Sequence, residues 1–577
     1  MPFIILLIFL VLVGPLSAQK APRETFPSLP TTVEQRKPYE QFLAKRYRFG
    51  ADRLTWGEKY PVVINGTDEK GFTPDISCAQ APLIKETYDS VVVGGGPAGL
   101  SASFFLTQKG KKVLLLEKEP TVGGLAAGSS LGTGRYARGG AYFTSVEGPA
   151  REVYDKLGMG DFKNLAIPEP IDSYLWNGTY YRGLWEDHTV DKLPADFAVF
   201  KFLLRQADKD KMVPVQPIED HPAAKVLDPL SFAEWVRSMP ADLKKRADAG
   251  DEKARALWVK LQNDPTVNKS DPMSNVIKKL EIYGRSALGD HPDVVSAAVG
   301  VNFYIAELDT RYTTNIGAGG VAEKIFKKLV KDPDFKHHTT APVGEVRNFP
   351  QGVEVCYSLK GKTLKVRGKT AVLTAPLSVA KKGIKDLETL APEKKKVLES
   401  LEYRNYQVVN LHVAGHPWRD TYDLWIRDDA TYSKKEPTDI IDGRWMDFRG
   451  QEKPRTDNKG VITVYVPLPK EMVGKGYDNQ ATLEIAVSAA EKAQAILNPL
   501  IARDGGKPMQ VLAVEANRWP FSIHIAAPGH FLKKAKVLAA PAGNIYFASM
   551  NIGAPAIEEA TYRGYIAASD ILRKTMP

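Results

Sequence analysis

A glycine turn held between an aliphatic strand and a helix constrains this chain more than any other stretch. Residues 88–124 run YDSVVVGGGPAGLSASFFLTQKGKKVLLLEKEPTVGG. Residues 89–93 form a short β-rich run, and Gly94, Gly96 and Gly99 then stand in the spacing G-x-G-x-x-G. Each glycine has its own reason: Gly94 permits the tight turn, Gly96 lets backbone approach a pyrophosphate, and Gly99 lets the helix lie close to its strand. The predicted helix spans about 97–109, with Pro97 and Ala98 in its first turn. Its free N–H groups and positive dipole end point at the phosphates. Gly110 closes it as a C-cap glycine. Residues 112–116 read as a buried parallel strand that ends on Glu117, followed by Lys118, about 20 residues past the glycines. A carboxylate there accepts hydrogen bonds from ribose hydroxyls. The glycine spacing alone describes many ordinary turns; the strand, the helix and the correctly spaced acid together specify a dinucleotide site.

The chain has 577 residues, too many for one compact core, and two or three intertwined lobes are expected. Its net charge of +10 comes from basic residues scattered among acids. That pattern describes a mildly basic solvated surface, and no nucleic-acid-binding signature accompanies it. Residues 2–16 are almost uninterruptedly apolar, of signal-peptide length and short for a membrane span. Export to a periplasm or the exterior is expected, with residues 1–18 acting as a cleaved leader or as an uncleaved anchor that touches the membrane. The two cysteines, Cys78 and Cys356, make no disulfide framework. Whether they are bridged is not readable from sequence. No metal-ligand spacing occurs.

Residues 19–85 are rich in Pro and charge, with a short helix expected at 32–46, and read as an extension along the outside of the main fold. After Glu117 come Gly123-Gly124-Leu125 and Arg138-Gly139-Gly140-Ala141-Tyr142-Phe143, backbone suited to lie against a large ligand. Residues 150–311 are helical by pattern, with a capping box at Ser231 and Glu234 and a charged helix at 247–261. Gly319-Gly320 opens another helix; strands at 352–359, 364–366 and 370–374 follow, then strand character at 400–413 and 461–466. Between the last two, residues 419–447 hold eight acids against five bases, with Trp418, Trp425 and Trp445 nearby. This reads as a solvated loop or as an acidic, aromatic rim that attracts a cation. Near the C-terminus, residues 543–549 form a strand, and Ile552-Gly-Ala-Pro-Ala556-Ile557-Glu558-Glu559 leads into a helix to about Leu572. The positive end of that helix is suited to stabilise negative charge on a bound ligand.

This succession resembles the flavin-containing amine oxidase superfamily, which includes monoamine and polyamine oxidases, protoporphyrinogen oxidase and phytoene desaturases. The likeness covers about 490 residues, with its specific motifs at the two ends and in the meander around Val343. It implies an α/β chain in which a Rossmann-type, glutathione-reductase-like FAD-binding domain is interleaved with an α+β substrate domain. The implied division is 19–86 as the extension, 87–149, 312–380 and 511–577 as FAD-binding parts, and 150–311 and 381–510 as substrate parts. It further implies FAD contacts from Gly94, Gly96, Pro97, Ala98, Gly99, Glu117, Lys118, Gly123, Gly124, Leu125, Gly139, Gly140 and Ala141. Val343 stands where backbone meets the adenine, and Ser549, Ala556 and Ile557 where the chain meets the flavin ring. The runs 517–520 and 547–551, with 403–418, are similar to spermidine dehydrogenases.

Three departures from the family pattern bear on mechanism. Leu125 replaces the usual Arg after the glycine pair. Residues 406–409 read YQVV where many amine-oxidising members hold a Lys facing flavin N5. Ser522 and Ala556 replace an aromatic pair. The implied activities are therefore hydride transfer from an amine to flavin N5; desaturation, oxidation or isomerisation of an apolar or polycyclic substrate; or flavin binding without turnover. Gln407 and His524 are the candidate catalytic groups, with His530 beside the latter; a packed histidine is the alternative for both rings. Cys356 sits in the meander, away from a thioether position. The partners implied are a small-molecule substrate and an acceptor, either a quinone or redox carrier or oxygen.

Overall fold

The computed structural model describes residues 28–47, 54–57, 59–66, 76–131, 134–144, 149–160, 165–167, 173–309, 311–414, 421–430, 436–443, 459–472 and 478–575. The leader 1–18 and Trp418, Arg419, Asp420, Lys434, Lys435, Arg444, Trp445 and Asp447 lie outside them. Among the described residues no helix is long and apolar enough to cross a membrane.

Strand Leu83–Val93, helix Pro97–Thr107 and strand Val113–Leu116 form the glycine-turn unit. Pro97 pre-sets the first helical residue, and Gly110, at φ +65°, takes the left-handed conformation past the helix end. The two strands pair in parallel, Ser90 to Val113 through Val93 to Leu116. Phe335–His338 extends the sheet in parallel beyond the second strand. On the other side Lys362–Leu373 pairs in parallel with Leu83–Val93, then meets Ile545–Phe547 in parallel and the antiparallel meander of Gly352–Leu359 and Val343–Phe349. The strands expected at 364–366 and 370–374 are thus one, because Gly368 keeps its place in both ladders, opposite Val353 and Tyr88. The C-terminal helix Ile557–Thr575 lies against the glycine-turn helix, close enough that a Cβ on Gly564 would sit 2.2 Å from the Ala98 carbonyl oxygen.

A second sheet has nine strands in the order Leu54–Trp56, Pro61–Asn65, Gln510–His524, Tyr403–Ala414, Lys459–Pro467, Asp439–Ile441, Asp423–Arg427, Ser173–Trp176 and Thr179–Tyr181. Its first two strands correct the expectation of an extension lying along the outside. Val62 and Val63 are buried, and Val62 to Asn65 pair in parallel with Val514 to Asn517. Cys78 and Cys356 are bridged, with Cα atoms 5.4 Å apart, which ties the same N-terminal segment to the meander. One face of this sheet, with Val409, Leu411 and Val413, packs on helix Asn479–Arg503. The helical region forms its own core. Its capping box is present: Ser231 accepts from the Glu234 N–H and Glu234 from the Ser231 N–H. The helix expected at 247–261 is two, Phe232–Asp248 and Glu252–Asn263, because Gly250 at φ +98° breaks the run and Asp251 caps the second.

Candidate active site

At the glycine turn, Gly94 has φ +109°, and no side chain caps the helix that starts at Pro97. Its first N–H groups therefore face open space lined by Gly96, Pro97 and Ala98. Across that space lies the second glycine pair, and a Cβ on Gly124 would come within 3.2 Å of the Gly96 Cα. Side chains here would fill the cradle. Gly139 is similarly bare because its Cβ would lie 2.0 Å from the Leu125 carbonyl oxygen, the same oxygen that accepts from Gly140 N–H at 2.8 Å. Glu117 is buried, and burial pushes its carboxyl up. Its two oxygens accept from the Gly95 N–H at 2.6 Å and the Glu119 N–H at 2.8 Å.

These elements open into a cavity of about 730 Å³. Gly94, Gly96, Pro97, Ala98, Glu117, Lys118, Gly124, Leu125, Gly139, Gly140, Ala141, Val343, Ser549, Ala556 and Ile557 all line it. Gly99 and Gly123 do not. Gly99 gives the helix its close approach, since a Cβ there would lie 1.9 Å from the Gly94 carbonyl oxygen, and Gly123 donates its N–H to the Gly95 carbonyl at 2.8 Å.

The far end of the cavity is built by strand alternation. On Tyr403–Ala414, Tyr406 and Val408 face the cavity, while Gln407 faces the opposite side and donates to the Thr482 carbonyl at 2.8 Å. Gln407 is therefore removed from the catalytic candidates. Register then dictates the rest: Trp519 stands opposite Tyr406, Tyr465 opposite Val408, and Asp439 opposite Tyr465, all on the cavity side. Tyr142, Ala287, Phe303 and Ile441 complete this chamber. His524 is not part of it. It is fully buried behind the 550–554 loop, with Nε2 2.9 Å from the Gly553 carbonyl oxygen, and burial pulls its pKa down to about 4. His530 contacts the Ile552 carbonyl in the same way, and burial and His524 pull it well below its ordinary value. Both rings support the loop rather than act as bases.

The acidic stretch also needs correction. Of its six described acids, Asp423, Asp439 and Asp442 are buried, Glu436 is half-buried and Asp428 and Asp429 are exposed, so only part of the stretch is a solvated loop. Asp423 lies 2.7 Å from Arg311, which is also 3.1 Å from Glu307, a fully buried trio. Burial pulls Arg311 down, but Asp423 and Glu307 outweigh it and hold the guanidinium charged. Arg311 lies 4.6 Å from the centre of the Tyr142 ring, and the Tyr142 hydroxyl donates to Glu307. Asp439 accepts from Ser286 Oγ at 2.8 Å and Thr438 Oγ1 at 2.6 Å, both through Oδ1. Burial pushes its carboxyl up to about 7. Nothing in the sequence marked Asp439 apart from its neighbours; only the register of its three-residue strand could have done so.

A family model for flavin containing amine oxidoreductases matches residues 97–572, and the chain belongs to that family. It is 23% identical over 470 residues to an L-amino-acid oxidase of Demansia vestigiata, covering 79% of this chain and 81% of that protein. In fold it is similar to a putrescine oxidase bound to putrescine, with a TM-score of 0.59 at 17% identity over 85% of this chain and all of the other. It is similar as well to cyclohexylamine oxidase from Brevibacterium oxydans, with a TM-score of 0.55 at 17% identity, covering 84% and 99% of the two chains.

The cofactor is FAD, and the residues present fit it: a glycine cradle that any Cβ would fill, an uncapped helix N-terminus, and a buried acid at the end of the second strand. Glu117→Ala is expected to weaken FAD binding by about one to two decades, the worth of one charge-assisted hydrogen bond of about 1.5–3 kcal/mol. Flavin that stays bound should keep the parent spectrum. Equilibrium dialysis with absorbance spectra checks this, and unchanged affinity would remove Glu117 from the ribose.

Proposed function

We propose that the chain oxidises an amine, hydride leaving the carbon that bears nitrogen for flavin N5. The observation that carries this reading is a single cavity that begins at the FAD cradle and ends in a chamber with aromatic walls and a buried carboxylate, Asp439; a second buried acid, Glu558, lines the same cavity and accepts from Thr144. When bound, FAD supplies the acceptor for the electron pair. The helix beginning at Ile557 directs its positive end toward the cavity, where it stabilises negative charge as that pair arrives. Tyr142, Tyr406, Tyr465 and Trp519 exclude water and orient the substrate.

Desaturation of an apolar or polycyclic substrate is the second reading, favoured by the aliphatic Ala287, Val408, Ile441 and Ile523 in the lining and by the absence of aromatic side chains at Ser522 and Ala556. An apolar occupant would leave Asp439 buried without a counter-charge, which costs several kcal/mol or forces the carboxyl to stay protonated. An amine removes that cost. Anaerobic addition of a panel of amines decides between the readings: bleaching of the flavin absorbance supports amine oxidation, and a spectrum indifferent to every amine sinks it.

For reoxidation we propose a quinone or small redox carrier in preference to oxygen. Among the described cavity-lining residues the only Lys is Lys118, at the dinucleotide end, so none of them brings an ammonium to the chamber. The reduced protein should pass electrons to an artificial quinone faster than to oxygen at equal concentration in stopped-flow; prompt peroxide formation would reverse the assignment. The bridged Cys78–Cys356 pair supports an exported location, because such bonds persist in oxidising compartments.

A further inference from the structure

We propose that the end of the cavity at Arg138 is the site of the electron acceptor, a quinone, on the opposite side of Val408 from the substrate chamber. The inference rests on the quinone reading of reoxidation above and names where that quinone binds.

Strand register lays the cavity out as one row. Asn65 stands opposite Asn517, Asn517 opposite Val408, Val408 opposite Tyr465 and Tyr465 opposite Asp439, and all five residues line the cavity. Four inter-strand steps make the row about 19 Å long. Tyr465 and Asp439 belong to the chamber on one side of Val408. On the other side the lining passes to Asn517, Asn65, Ile64 and Arg138, with the exposed Gly66 at its edge. The short strand Pro61–Asn65 builds part of this wall, and amine oxidation gives it no task.

Arg138 supplies the donors. Its Nε donates to Asn517 Oδ1 at 2.9 Å and lies 3.6 Å from Glu515, so one nitrogen of the guanidinium makes both contacts. The two terminal nitrogens are the part left to a ligand, and they are fixed in a planar fork. Trp519, which also lines the cavity, donates its indole N–H to the Arg138 carbonyl and so sets an aromatic ring beside that fork. Glu515 is buried, accepts from Tyr136 and Asn65, and balances the charge of Arg138. This end of the cavity therefore offers directed donors and an aromatic neighbour without net positive charge. A carboxylate or phosphate there would bring a second negative charge toward the buried Glu515, which is unfavourable. A quinone brings a flat apolar ring and carbonyl oxygens that only accept, and it carries no charge.

The step balances with the acceptor already named. The quinone takes two electrons and one proton from the reduced flavin and a second proton from solvent, and it leaves as the quinol while the flavin returns to its oxidised form.

The experiment mixes holoprotein, reduced anaerobically with one equivalent of dithionite, with a water-soluble benzoquinone in stopped-flow. The parent's reoxidation rate should rise to a plateau with quinone concentration. Arg138→Leu, at parent flavin content and melting temperature, should need about tenfold to a hundredfold more quinone for half of the same plateau, the worth of a charge-assisted hydrogen bond. Arg138→Lys keeps a counter-charge beside Glu515 and loses only the fork, so its half-saturation should fall between the two; if Arg138→Leu does not fold, Arg138→Lys decides. A parent rate that stays linear in quinone, or one half-saturation shared by parent and variants, overturns the site and leaves the quinone reading standing. Loss of flavin from Arg138→Lys would assign Arg138 to the cofactor and overturns the site as well. No reoxidation by the quinone overturns both.

Discussion

Gly96→Asp is expected to give a folded, colourless protein. A Cβ at Gly96 would meet only the Gly124 Cα, at 3.9 Å, so the substitution collides with nothing in the fold. The new carboxylate would stand at the start of a helix that has no side-chain cap, and Asp is a preferred residue there. The variant should therefore melt close to the parent without cofactor. What it loses is the anion site: its own charge would occupy the N–H groups that the FAD pyrophosphate uses and would repel the phosphates. Loss of that dipole interaction and of a charge-assisted hydrogen bond amounts to about 3–5 kcal/mol, or two to three decades or more in FAD affinity. Gly99→Ala is the contrasting case. Its Cβ would lie 1.9 Å from the Gly94 carbonyl oxygen, so helix and strand must separate, and flavin loss should come with lost stability of about 1–3 kcal/mol or more. Visible absorbance per mole of protein and thermal melting distinguish the two. A yellow Gly96→Asp protein with parent flavin content would show that the pyrophosphate lies elsewhere.

The contrast reflects what a sequence carries locally. Gly94, Gly96 and Gly99 can be read one by one because each answers to neighbours within the same turn, and the Ser231–Glu234 capping box is legible for the same reason. Gln407 was misplaced by a single residue, which on a strand reverses the face. Asp423, Asp439 and Asp442 looked like solvated loop acids because what surrounds them comes from far along the chain: Arg311 stands 112 residues before Asp423, and Ser286 stands 153 before Asp439. The bond between Cys78 and Cys356 spans 278 residues and depends on Cys356 lying in the meander beside the N-terminal segment. Pro61–Asn65 reads as part of an outer extension because five residues carry little pattern, yet the strand Gln510–His524 recruits them into a sheet. Family likeness identifies the cofactor end, since the ligand fixes it; the substrate end varies and depends on strand register.

Arg311→Met should be the most destabilising single change near the site. The side chain is fully buried, 2.7 Å from Asp423 and 3.1 Å from Glu307, and it supports Tyr142 in the cavity wall. Met fills much of the same volume, so the loss is electrostatic: two carboxylates remain in an interior without a counter-charge. Breaking such a pair from one side costs about 3–5 kcal/mol. The melting temperature of Arg311→Met should accordingly fall well below the parent at neutral pH. Adding Glu307→Gln and Asp423→Asn to the same chain removes the stranded charges and should restore most of the loss, because replacing a whole buried ion group is often neutral. Release of flavin fluorescence on heating measures all three proteins. A triple variant no better than the single one would mean that Arg311 acts through packing alone.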